Sequence, residues 1–201
     1  MNLKNNFCTK KEARFHLDDQ AAIQQAGETI AKWLPNRLYQ PVVICIGTDR
    51  STGDSLGPLT GTMLQEQQTI NLAVYGTLDD PIHAVNLEEK LKEIKTKHTK
   101  PFIIAVDACL GRAKSVGSII AVQKPLKPGA ALDKALPEVG DIHLSGVVNV
   151  SGFMEFMVLQ NTRLHVVMKM AKQISSVLFY LDQNFARQQA LSSLTKVKTL
   201  P

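Results

Sequence analysis

One stretch constrains the fold of this chain more than any other: Pro41 to Leu59, PVVICIGTDRSTGDSLGPL. Val42-Val43-Ile44-Cys45-Ile46 is short, largely β-branched and apolar throughout rather than alternating, the pattern of a strand buried on both faces. The run breaks at Gly47, crosses a loop dense in Thr, Ser, Asp and Gly, and meets a helical pattern at Leu56-Gly57-Pro58. A strand covered by helices on both sides places the loop at its carboxyl end in the crevice where open α/β sheets bind ligands. Asp49 and Asp54 then lie at the mouth of a site. A second run of the same kind, Phe102 to Val106, ends in another carboxylate, Asp107. Two parallel strands ending in acids bring Asp54 and Asp107 to one edge of the sheet.

The rest of the pattern supplies the layers around that sheet. Asp18-Asp19 is placed to cap a helix with Ala22, Ile23, Ala26, Ile30, Trp33 and Leu34 at helical spacing. A helix over about 55–67 follows the Asp54 loop, with Pro58 in its first turn. Asp54 falls near its N-terminus, where free N–H groups and the helix dipole lower a carboxylate pKa. A strand at 72–77, an amphipathic helix at about 86–97 and strands at 102–107 and 117–122 continue the alternation. Lys124 to Gly140 is mostly loop, with one short helical turn at 131–136. Residues 141–150 form either a strand or a strand-to-helix turn. A long helical region, Phe153 to Phe185, breaks near Asn161-Thr162, and Met154, Met157, Met168 and Met170 are expected in its core-facing stripe. The predicted architecture is a three-layer α/β/α sandwich around a mixed, mainly parallel sheet. Residues 17–187 form the single domain, between a flexible arm at 1–16 and a flexible tail at 188–201.

Composition excludes several classes. Cys8, Cys45 and Cys109 cannot all pair, and no two stand in a C-x-x-C arrangement, which argues against a disulfide framework or a structural zinc. No run approaches the roughly 18 apolar residues of a membrane span, and Met1 to Lys11 lacks the apolar segment of a secretory signal. A cytoplasmic protein without a membrane role is expected. The net charge of +5 comes from scattered basic residues without interleaved aromatics, so no direct nucleic-acid role is expected. The apolar length of Phe153–Phe185 leaves room for a homo-oligomer.

Asp54 and Asp107 are the candidate catalytic pair. Two carboxylates in one crevice divide acid and base labour, because proximity raises the pKa of one while the other stays ionised. Thr48, Asp49, Ser51, Thr52 and His143 are candidate substrate contacts, with amides or hydroxyls around Thr48, Ser51 and Thr52 able to face an oxyanion. No cofactor is expected. The set that could hold a divalent metal is Asp54, Asp107 and His143, whose separations carry no ligand signature. Cys109 has no legible helix start or histidine to activate it. The loop is neither a P-loop nor a G-x-G-x-x-G fingerprint, and no serine stands in a G-x-S-x-G elbow.

These residues also carry a resemblance. Ile46-Gly47-Thr48, Gly53-Asp54-Ser55-Leu56-Gly57-Pro58 and Val106-Asp107-Ala108 resemble the germination protease family of spore-forming bacteria, whose pattern runs G-x-G-N, three variable positions, P-D-A-L-G-P, and later I-D-A. Pro128-Gly129 with Lys134 to Gly140 looks like that family's P-G loop, and the likeness spans about Val42 to Asn149. The chain is most similar to the smaller sporulation relatives of the YyaC type. The resemblance implies a phosphorylase/hydrolase-like α/β/α fold shared with hydrogenase maturation proteases. It also implies an endopeptidase whose two essential aspartates are Asp54 and Asp107. In the hydrogenase maturation group the corresponding acids join a histidine at a metal site, for which His143 is the counterpart here. The implied partners are protein or peptide substrates such as small acid-soluble spore proteins, and the implied compartment is the forespore or spore core. Thr48 stands where the pattern has Asn, and Gly53 where it has Pro. The alternative function is a non-catalytic sporulation protein that binds a peptide or small anion in the same crevice.

Overall fold

The computed structural model describes residues 11–19, 21–35, 39–128 and 136–197, excepting the side chains of 22 and 186–197. Glu12–His16 (β1), Gln40–Cys45 (β2), Ala73–Tyr75 (β3), Pro101–Gly111 (β4), Ser118–Val122 (β5) and Ile142–Val150 (β6) form one sheet in the order β1-β5-β6-β4-β2-β3. The β3·β2, β2·β4 and β4·β6 pairs are parallel, and β5·β6 and β1·β5 are antiparallel. The helices are Ala22–Ala31 (α1), Leu56–Glu66 (α2), Leu87–Lys97 (α3), Glu155–Gln160 (α4) and Leu164–Val197 (α5). This is the expected α/β class with a mixed sheet flanked by helices.

β2 shows why its run is apolar at every position. Val43 and Cys45 pack in the core shared with α1, α2 and α5, beside Ile30, Leu64, Met170 and Ile174. Val42, Ile44 and Ile46 pack in a second core on the opposite face, with Leu87, Leu91 and Ile94 of α3. Both faces are therefore dry, as a parallel central strand requires.

Several expectations change. Residues 12–16, assigned to the N-terminal arm, form β1, an edge strand in register with β5 from Glu12↔Val122 to His16↔Ser118. α5 continues to Val197 through residues assigned to the tail. Of the two readings of 141–150, the strand is the one formed, as Ile142–Val150. β4 does not stop at Asp107 but continues to Gly111, because β6 pairs with it beyond β2, with a bulge between Cys109 and Leu110. The chain breaks between α4 and α5 as expected, and this takes Met154 and Met157 out of the core. Met170 is fully buried, whereas Met154, Met157 and Met168 are exposed. All of the expected turn at 131–136 except Leu136, and Gly129, Lys134 and Ala135 of the loop likened to the P-G loop, lie outside the described residues.

Candidate functional site

The site exists because β2 is shorter than β4. Cys45 is the last β2 residue paired with β4, opposite Val106. Ile46 N still donates to Val106 O at 2.7 Å, and the chain then leaves the sheet at Gly47. Asp107 is therefore the first β4 residue without a β2 neighbour. On its other side it lies in register with Ser145 of β6.

Asp54 is brought back over the same place by close backbone contacts. Gly47 has φ +148°, and a Cβ there would sit 1.9 Å from the Asp54 carbonyl oxygen, so only glycine fits. Thr48 N donates to that carbonyl at 3.2 Å. At the start of α2, a Cβ on Gly57 would sit 2.0 Å from Ile46 O, so the helix begins directly against the end of β2. Gly53 N donates to Leu159 O at 2.9 Å, tying the loop to α4.

The two acids line a cavity of about 470 Å³ together with Thr48, Arg50, His83 and Ser145, and its apolar wall includes Leu126, Leu136, Phe156 and Leu159. Asp107 remains partly accessible as a residue, yet its carboxyl group is surrounded by protein. Burial pushes its pKa up to about 8, opposed by the Ala108 N–H that donates to Oδ1 at 2.8 Å and reinforced by the negative charge of Asp54. Burial also raises Asp54. That reverses the expectation from the helix dipole: Ser55, not Asp54, flanks the first turn of α2, and no side chain caps it. The Ser51 hydroxyl acts on Asp54 in the opposite, lowering direction. Ser51 is only 4% exposed and its Oγ has no hydrogen-bond partner among the described residues, so burial outweighs its lowering influence.

The other candidates separate. Thr48 lines the cavity, but its amide is committed to Asp54 O, and its Oγ1 accepts from Arg50 N at 3.3 Å and Arg50 Nε at 3.4 Å. Its amide is therefore not free to face an oxyanion, whereas its hydroxyl keeps a proton to donate. Asp49 is exposed outside the cavity lining, Ser51 is buried behind it, and Thr52 uses its carbonyl to accept from Ser55 Oγ at 2.7 Å. His143 lies opposite Ala105, not Asp107, and its Nδ1 is 2.8 Å from Lys124 O. It does not join the aspartates, and among the described residues no group of three His, Cys, Asp or Glu side chains is placed to hold a metal. The donor set Asp54, Asp107 and His143 therefore does not fit a metal as placed. Cys109 reaches the cavity, but burial and the Asp107 charge push its thiol up to about 11, which excludes a thiolate nucleophile at neutral pH.

Arg50, His83 and Ser145 were not singled out from sequence as members of the site. Arg50 lay within the recognised loop. His83 arrives because Ile82 bridges to Ile46 and Ile82 O accepts from Gly47 N at 2.8 Å, a contact that no local pattern announces.

Among solved structures, the chain is similar to the [NiFe] hydrogenase maturation protease HycI from Thermococcus kodakarensis KOD1, with a TM-score of 0.54 and 15% identity over 77% of this chain and 98% of that one. At that identity the likeness establishes the fold. The chain is also 53% identical over 180 residues to the protein of Bacillus subtilis (strain 168) described as "Uncharacterized protein YyaC", covering 89% of this chain and 88% of the relative. Residues 14–177 match the family described as "Protein of unknown function (DUF1256)", and the chain belongs to the DUF1256 family.

Proposed function

We propose that this chain is an aspartate-dependent endopeptidase in which Asp54 and Asp107 act as one acid–base pair. The observation that carries the reading is that both carboxyl groups line one cavity, with the more enclosed of them raised to about 8 by burial and by its neighbour's charge. Such a pair shares one proton near neutral pH and titrates as a unit. Asp54, the less enclosed partner, is then the carboxylate, and Asp107 carries the proton.

A peptide bond in the cavity can be opened by these two groups. The Asp54 carboxylate takes a proton from a water that attacks the carbonyl carbon, and Asp107 gives its proton to the carbonyl oxygen. The proton now on Asp54 passes to the leaving nitrogen, and as the C–N bond breaks a hydroxyl proton of the intermediate returns to Asp107, which restores both groups. Arg50, which lines the same cavity, is a cation available to the charge that develops on the carbonyl oxygen. No step uses a metal. The fold shared with a hydrogenase maturation protease supports a hydrolase. The resemblance at residues 46–58 and 106–108 supports small acid-soluble spore proteins as substrates and the forespore as the place of action.

The test is incubation of the purified chain with a small acid-soluble spore protein from neutral to mildly acidic pH, read by intact mass beside Asp54→Asn and Asp107→Asn. Discrete fragments that require both aspartates are expected. Saturable binding with the substrate intact throughout would instead favour the non-catalytic reading.

A further inference from the structure

The methionines expected in the core lead to a second surface. On the turn before α4 and on α4 itself, Phe153 is 90% exposed, Met154 58%, Phe156 55% and Met157 46%. Soluble chains seldom leave four large apolar side chains exposed within five residues, and contiguous patches of this kind mark interaction sites. Phe156 and Met157 lie on α4 itself and Phe153 and Met154 on the turn that enters it, and unbranched Met side chains adapt to varied partners.

The occupant follows from what the patch adjoins. Phe156 belongs both to the exposed patch and to the wall of the cavity that holds Asp54 and Asp107, and Leu159 of the same helix lines that wall too.

 
Leu159 also carries the backbone carbonyl that fixes Gly53 of the catalytic loop. Phe156 therefore joins the cavity wall to the exposed side of α4. A lipid surface is a poor match, because the patch opens into a cavity holding two acids. A second copy packed on it would cover the mouth through which a substrate must enter.

We infer that α4 and the turn before it dock the substrate chain: an extended peptide segment whose large apolar side chains lie within a few residues of the bond to be cut. This inference rests on the endopeptidase reading and names the class of segment that enters the site. Phe153 and Met157 anchor it outside the cavity, and Phe156 guides it inward.

The test reads binding rather than hydrolysis. Random twelve-residue peptides displayed on phage are selected on the immobilised full chain and on the double variant Phe153→Ser, Met157→Ser. The best peptides are then made with a fluorescent label and titrated by anisotropy. The wild type should select peptides rich in Phe, Leu, Ile and Met, and the double variant should bind them about tenfold or more weakly, as expected when anchors of this kind are lost. Phe153→Leu should retain binding. If the double variant fails to fold, Phe153→Ser alone carries the comparison. Selection of no peptides, selection without apolar bias, or equal affinity for both proteins would overturn the inference. So would a wild-type dimer in sedimentation velocity that the double variant abolishes while peptide affinity is unchanged, because the face would then belong to a second copy. Apolar selection without any cleavage would count against the endopeptidase reading alone, and cleavage with unbiased selection would count against the docking surface alone.

Discussion

Asp107 makes the stability of the folded chain depend on pH in a defined direction. Its pKa is raised from 3.8 to about 8, so over that window the folded chain keeps a proton that the unfolded chain has lost. The contribution is fully present below 3.8 and is lost as pH rises through 8, with a slope of at most about 1.4 kcal/mol per pH unit. Asp107→Asn should flatten this dependence, so that the difference in urea-unfolding stability between pH 5 and pH 8 shrinks and the variant gains on the wild type at pH 8. Equal pH dependence in the two proteins would contradict the assignment. Asp54 and Asp107 were legible as candidates because each follows a buried apolar run. Ser145 and His143 show what was not legible. Both lie on β6, two residues apart, and only the β4·β6 register puts Ser145 opposite Asp107 and His143 opposite Ala105.

At the level of elements, the turn from β2 into α2 holds the site together. Gly47→Ala places a methyl group 1.9 Å from Asp54 O on a backbone with φ +148°, so the loop must shift. We expect a loss of about 2 kcal/mol or more in urea unfolding and, on the endopeptidase proposal, loss of cleavage, since the displaced carbonyl belongs to Asp54. Near-wild-type stability would show that the loop does not depend on this contact. β2, α2 and α3 were readable because their apolar residues recur at the period of the element that buries them. β1 was not, because its five residues alternate only briefly and pair with β5 about a hundred positions away. The exposed face of α4 was misread for a related reason: Met154 and Met157 continue the apolar pattern of α5, but the break before Leu164 turns them away from its core.

Across the whole molecule, the layered fold follows from one constraint, a central parallel strand that is apolar on both sides and so needs helices on both faces. The strand order β1-β5-β6-β4-β2-β3 makes β2 and β4 neighbours, which brings two acids more than fifty residues apart in sequence to one cavity. Fold class could be read from the chain because it depends on patterning. The cavity lining could not, because it depends on how far each strand runs beyond its neighbour. The central claim is that Asp54 and Asp107 share a proton near neutral pH. Carboxyl ¹³C chemical shifts of the aspartates, followed through a pH titration in the wild type and in Asp54→Asn, test it most directly. The account predicts that the Asp107 carboxyl stays protonated past pH 7 in the wild type and titrates at lower pH once the Asp54 charge is removed. Titration of both carboxyls near the ordinary aspartate value of about 3.9, unchanged by the substitution, would contradict it.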